Sequence, residues 1–175
     1  MAIAIPNIAS FLHNIAATTP MLNKMIFGAM YLTGFAFLFT GVYKLKHYGD
    51  IRTMMSSSAE LKGPLLFLFV GALLVFYPQT VTISLNTIFN SNGSVMSYQP
   101  QNTAAIYNQM FQDIGMILRF VGVIAFFRGL VLLSRLSNHS SPPGTFGKSL
   151  THIVGGILAV NVYGTWEILK STIGL

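Results

Sequence analysis

The chain has 175 residues, 53% of them hydrophobic and only 8% charged, where a soluble domain carries about 25% charged residues. With a mean hydropathy of +0.62, an ordinary soluble globule is nearly ruled out, and so is disorder, which needs low hydrophobicity and high charge. Ten Lys and Arg against four Asp and Glu leave a formal charge of +6, and Cys is absent, which removes disulfides and thiolate metal sites.

The first twenty residues, MAIAIPNIASFLHNIAATTP, hold no basic stretch of the kind that opens a cleaved signal peptide. Ile8, Phe11, Leu12 and Ile15 fall on one helical face, with Pro6 and Pro20 on either side. This pattern predicts a short amphipathic helix lying on the membrane surface. Four stretches then approach the roughly 20 apolar residues needed to cross a hydrocarbon core about 30 Å thick. They are residues 25–43 and 63–89, both without charge, then 114–134 with Arg119 and Arg128, and 150–169 with His152, Asn161 and Glu167. The expected fold is an all-α integral membrane protein of four transmembrane helices arranged as two tandem hairpins. It forms a single membrane domain over 1–175, divided into an interfacial segment (1–24), a first hairpin (25–89), a polar external loop (90–113) and a second hairpin (114–175).

Basic residues orient the chain. Lys44, Lys46, Arg52 and Lys62 lie between the first two stretches, and Arg135 and Lys148 between the last two, whereas residues 90–113 contain neither Lys nor Arg. Positive-inside then puts the two basic loops in the cytoplasm and both termini outside. In a bacterium this means a multi-pass inner-membrane protein with periplasmic termini. Basic residues placed to orient spans, rather than spread over a wet surface, do not suggest direct nucleic-acid binding.

The chain also resembles itself. GFAFLFTGVYKL from Gly34 aligns with GVIAFFRGLVLL from Gly122 at an offset of 88, and GALL at Gly71 with GGIL at Gly155 at an offset of 84. Both halves share one topology, so the expected repeat is parallel, about an axis along the membrane normal. Gly34 and Gly41 are seven apart, as are Gly115, Gly122 and Gly129. That period keeps small residues on one seam, where helices in lipid approach closely.

Arg119 and Arg128 each cost about 2.5–3.5 kcal/mol at mid-bilayer, so each needs a partner or a wet exit. Nine residues of helix set them on opposite faces. Glu167 reaches a depth similar to Arg119, which makes Arg119–Glu167 the preferred structural ion pair, with Asp113 as competitor. Arg128 can snorkel towards Ser134, or bond Asn161 or carbonyls of a neighbouring subunit. Pro78 removes a helical donor and predicts a kink near Tyr77–Pro78. Pro142 and Pro143 mark a stiff loop, with Gly144 and Gly147 as turn residues.

Little chemistry is visible. The histidines (His13, His47, His139, His152) lack zinc-site spacing, and Gly144 to Ser149 ends like a phosphate-binding loop but has the wrong glycine spacing. Neither catalytic nor metal-ligating residues are assigned, and no enzyme is expected. No cofactor is called for, bound phospholipid being the one candidate ligand.

GVYKLKHYG from Gly41, LKGPLLFLFVGALLVFYP from Leu61, Arg128-Gly129-Leu130, PGTFGK from Pro143 and HIVGGILAVN from His152 together resemble the small inner-membrane proteins of type IVB (Dot/Icm) secretion systems. The likeness is to the IcmC/DotE group, with relatives DotV, IcmD and the TraQ-type proteins of conjugative plasmids. It implies a non-enzymatic subunit of an envelope machine that exports protein effectors or DNA. The implied partners are membrane lipid and other subunits of the complex, in a homo- or hetero-oligomer. A pilin-like subunit of a conjugative filament and a small channel or transporter are the alternatives.

Overall fold

A computed structural model describes residues 8–53, 61–89, 105–137 and 142–174, and every regular element among them is a helix. In chain order these are α1 (Ile8–Thr53), α2 (Lys62–Val75), α3 (Tyr77–Phe89), α4 (Ala105–Arg135), α5 (Thr145–Val160) and α6 (Val162–Ile173). α1 pairs with α2 and α4 with α5, and α4 also lies against α1 and α2. The shared core contains Met30, Val70, Leu74, Tyr77, Val123, Phe126, Leu130, Ile157 and Val160. Tyr77 links its parts, with its ring 5.4 Å from Phe27 and 5.5 Å from Phe126.

Two helices, Ser10–Thr53 and Gln109–Arg135, are long and apolar enough to cross a membrane. A third span is added if α2 and α3, bent by 88°, count as one. The fourth expected stretch, residues 150–169, is divided at Asn161 between α5 and α6. The 16 residues of α5 extend about 24 Å, short of a core about 30 Å thick.

The amphipathic helix expected at the N-terminus is not a separate element. Residues from Ile8 onward begin α1, which runs through Pro20 for 46 residues, about 69 Å. A proline inside a helix removes a donor and crowds the carbonyl four residues back. Here the Thr18 and Thr19 hydroxyls both donate to the Ile15 carbonyl in that turn (2.8 and 3.1 Å). The turn is not left to solvent either: Ala16 and Thr19 are buried, and His13 Nδ1 lies 3.5 Å from a carboxylate oxygen of Asp113. Tertiary contact thus overrides the break that Pro20 alone would make, and residues 1–7 lie outside the described part of the chain.

The expected external loop is also shorter. Residues 90–104 lie outside the described residues, but 105–113 form the start of α4. Their polar character is met by partners: Asp113 is buried beside His13, and the Phe111 carbonyl accepts a hydrogen bond from the Tyr163 hydroxyl at 2.8 Å.

Lys44, Lys46 and Arg52 sit on the last turns of α1 rather than in a loop; Lys62 opens α2, Arg135 ends α4, and Lys148 lies in the first turn of α5. Lys44 Nζ is 3.5 Å from Ser137 Oγ and 4.2 Å from the centre of the Phe67 ring, which ties the basic ends of the two halves together. Gly144 adopts the left-handed conformation (φ 81°) just before α5. Gly147, expected in the turn, is inside α5: the Thr145 hydroxyl and N–H both donate to the Pro142 carbonyl, so the helix has already begun.

Candidate functional site

The glycines decide how closely the hairpins close. A Cβ at Gly34 would lie 3.1 Å from the Gly71 carbonyl oxygen, and one at Gly71 would lie 3.0 Å from that of Gly34. In the second hairpin a Cβ at Gly122 would lie 2.8 Å from the Gly156 carbonyl oxygen, and one at Gly156 the same distance from that of Gly122. About two turns further on, Gly41 faces Leu68 and Gly129 faces Ile153. At each of these positions a side chain would strike an opposing helix. The register differs by one residue from the expected match: Gly156, not Gly155, stands where Gly71 stands, and a Cβ at Gly155 would meet nothing within 4 Å. Gly115 has a different partner, the ring of Tyr163, where the first hairpin stacks Phe27 on Tyr77.

Each return leg is broken, and each break leaves carbonyls without helical donors. The first break falls at Phe76 (φ −94°, ψ 28°), two residues before Pro78. Pro78 therefore occupies the first turn of α3, where its missing N–H matters least. The Thr80 hydroxyl reaches back to the carbonyls of Phe76 (3.0 Å) and Leu73 (3.5 Å). The second break falls at Asn161 (φ −114°, ψ 61°). There the Thr165 hydroxyl reaches back to the carbonyls of Asn161 and Leu158, both at 2.9 Å. In both legs a threonine hydroxyl bridges the break: it donates to the carbonyl seven residues back, and also to the carbonyl four residues back, which already accepts the threonine's own N–H.

The second break carries an additional charge. Asn161 Oδ1 accepts from the Gly164 N–H (3.2 Å), capping α6. The Val160 carbonyl, which a continuous helix would pair with that N–H, instead accepts from Arg119 Nε at 3.3 Å. The partner found for Arg119 is thus a backbone carbonyl released by the break. The side chain of its expected partner, Glu167, lies outside what the structure describes, and Asp113 is taken by His13. Arg128 is exposed on the outer face of α4, and the Asn161 oxygen considered for it is used in the cap. Among the described residues, no three His, Asp or Glu side chains gather in a possible metal site.

Sequence reasoning missed three of these features. His13–Asp113 joins residues 100 apart, with no local signal. The Arg119–carbonyl bond depends on a backbone acceptor that has no letter of its own. Thr80 and Thr165 could have been found by asking which hydroxyls follow each break by four residues.

Comparison with known protein families, curated proteins and solved structures finds no match for this chain.

Proposed function

We infer that this chain is a non-enzymatic, multi-pass inner-membrane subunit of a type IVB secretion or conjugation apparatus that exports protein effectors or DNA. It is built as two tandem hairpins of four membrane-embedded segments, with both termini periplasmic. The observation that carries the reading is the matched pair of glycine-closed, threonine-bridged hairpins, Gly34/Gly71 with Thr80 and Gly122/Gly156 with Thr165. In lipid, where helices gain nothing from hiding apolar surface from water, close backbone approach supplies the association energy. A chain that spends its glycines this way and leaves its outer surface apolar suits a packing element of a larger assembly. The secretion assignment itself is supported by the PGTFGK and HIVGGILAVN resemblance.

The test is purification in a mild detergent with mass-spectrometric identification of whatever accompanies the full chain. Other envelope subunits of a secretion machine are expected; their absence from a monodisperse, folded preparation refutes the reading. Topology has its own check. A periplasmic reporter fused after Leu175 should be active and one placed at Ser141 silent, and the reverse pattern would overturn the orientation.

A further inference from the structure

The two halves do not meet as mirror partners. α4 of the second half seats against both α1 and α2 of the first, while α5 makes no comparable contact with α1. The matched glycine contacts (Gly34 on Gly71 and Gly41 on Leu68; Gly122 on Gly156 and Gly129 on Ile153) equate each α1 residue with the α4 residue 88 positions later, and each α2 residue with the α5 residue 85 positions later. Val123 and Leu130 of α4 are 4% and 1% exposed, whereas their α1 counterparts Phe35 and Val42 are 49% and 58% exposed. Val70 of α2 is fully buried, whereas its α5 counterpart Gly155 is exposed with open space around it. Other positions are exposed in both halves, such as Leu65 and Leu150. Positions open in both halves suit lipid; positions buried in one half and open in the other mark a joint used once and left unfilled at each end.

We propose that a second copy of this chain fills it, with α1 of one copy seating on α4 and α5 of the next as α4 seats on α1 and α2 within the chain. The occupant follows from continuity with the internal joint. The bulky Phe35 and Val42 are presented at one end, and Gly155 with its open surroundings at the other. Such a contact is head-to-tail, so each copy retains one free face of each kind and the joint propagates into a ring or a filament. This inference rests on the duplicated-hairpin reading above and deepens it by naming the surface through which copies assemble.

Within the chain, a Cβ at Gly63 would lie 3.2 Å from the Ser137 carbonyl oxygen. The corresponding pair between copies is Lys148 of one and Gly49 of the next, both exposed. Because the chain lacks Cys, introduced thiols report only on themselves. Full-length Gly49→Cys/Lys148→Cys in native membranes, treated with a short bismaleimide, should give a ladder of dimers, trimers and higher species. Adding Gly155→Trp, which fills the open end, should reduce the ladder at least tenfold. Gly63→Cys/Ser137→Cys should link within the monomer and be unaffected by Gly155→Trp. The proposal is overturned if the ladder is missing while the internal link forms, or if the internal link itself fails. It is equally overturned if Gly49→Cys alone yields a dimer, since that contact would be two-fold, or if Gly155→Trp leaves the ladder intact. A missing ladder from a preparation that still carries other secretion subunits removes the head-to-tail joint and leaves the subunit reading standing.

Discussion

Gly155 and Gly156 are neighbours in α5, yet a methyl group should act on them in opposite directions. At Gly156 the new Cβ would sit 2.7 Å from the Phe126 nitrogen and 2.8 Å from the Gly122 carbonyl oxygen. Both are backbone atoms that cannot swing aside. Reaching an ordinary contact of about 3.5 Å requires the helices to part by roughly 0.7 Å, and a gap of that size forfeits a quarter to a half of each neighbouring dispersion contact. Overpacking of this kind costs about 1–3 kcal/mol, against about 1 kcal/mol gained by replacing Gly with Ala in a helix. At Gly155 no atom lies within 4 Å, so only the gain of about 1 kcal/mol remains. Gly156→Ala should therefore fall below Gly155→Ala by about 1–3 kcal/mol, roughly 2–12 °C in Tm for a chain of this size. Thermal unfolding of the detergent-solubilised monomer, followed by helical circular dichroism, measures it. Equal midpoints, or Gly155→Ala as the weaker variant, would refute the close approach of α4 and α5.

Thr165→Val keeps the shape of the side chain but removes both hydroxyl bonds at the Asn161 break. It should destabilise by about 1 kcal/mol and speed amide exchange in α6, with no change in α2. Arg119→Ala leaves the Val160 carbonyl unpaired and should cost about 1–3 kcal/mol, lowering the amount of assembled subunit; normal levels would show that the bond to the break is dispensable. If Glu167 also supports Arg119, Glu167→Ala should lower assembly similarly and the charge-swapped double variant should recover part of it, whereas additive losses would separate the two residues. His13→Ala should loosen the first turns of α1 from α4, seen as faster proteolysis near Phe11 with the Gly122–Gly156 contact unaffected.

Much of the helical architecture could be read from composition because length and apolarity alone define a helix that can cross a membrane. The seven-residue glycine spacing pointed to helix contact, and at Gly34, Gly41, Gly122 and Gly129 an opposing helix is found. The adjacent pair Gly155–Gly156 could not be resolved that way. Rotating by one residue turns a helix through about 100°, and only the partner helix decides which glycine faces it. Pro20 and Pro78 make the same point about local signals. One lies inside a continuous helix held by burial and hydroxyl bonds, and the other sits in the first turn after a break at Phe76. The partner of Arg119 was hidden for a different reason: side-chain pairing can be guessed from letters, but a carbonyl becomes available only after the backbone has bent.

The two interrupted legs have a consequence for the surrounding lipid. α2 has 14 residues and α5 has 16, so they reach only about 21 and 24 Å before turning. If each enters at one headgroup layer of a hydrocarbon core of about 30 Å, it stops about 6–9 Å short of the other. Lipid accommodates a short segment by drawing its leaflet inward, at a modest free-energy cost for every ångström of mismatch. That deformation would shrink where two such dimples merge, a mismatch term that favours bringing short legs together in the plane of the bilayer.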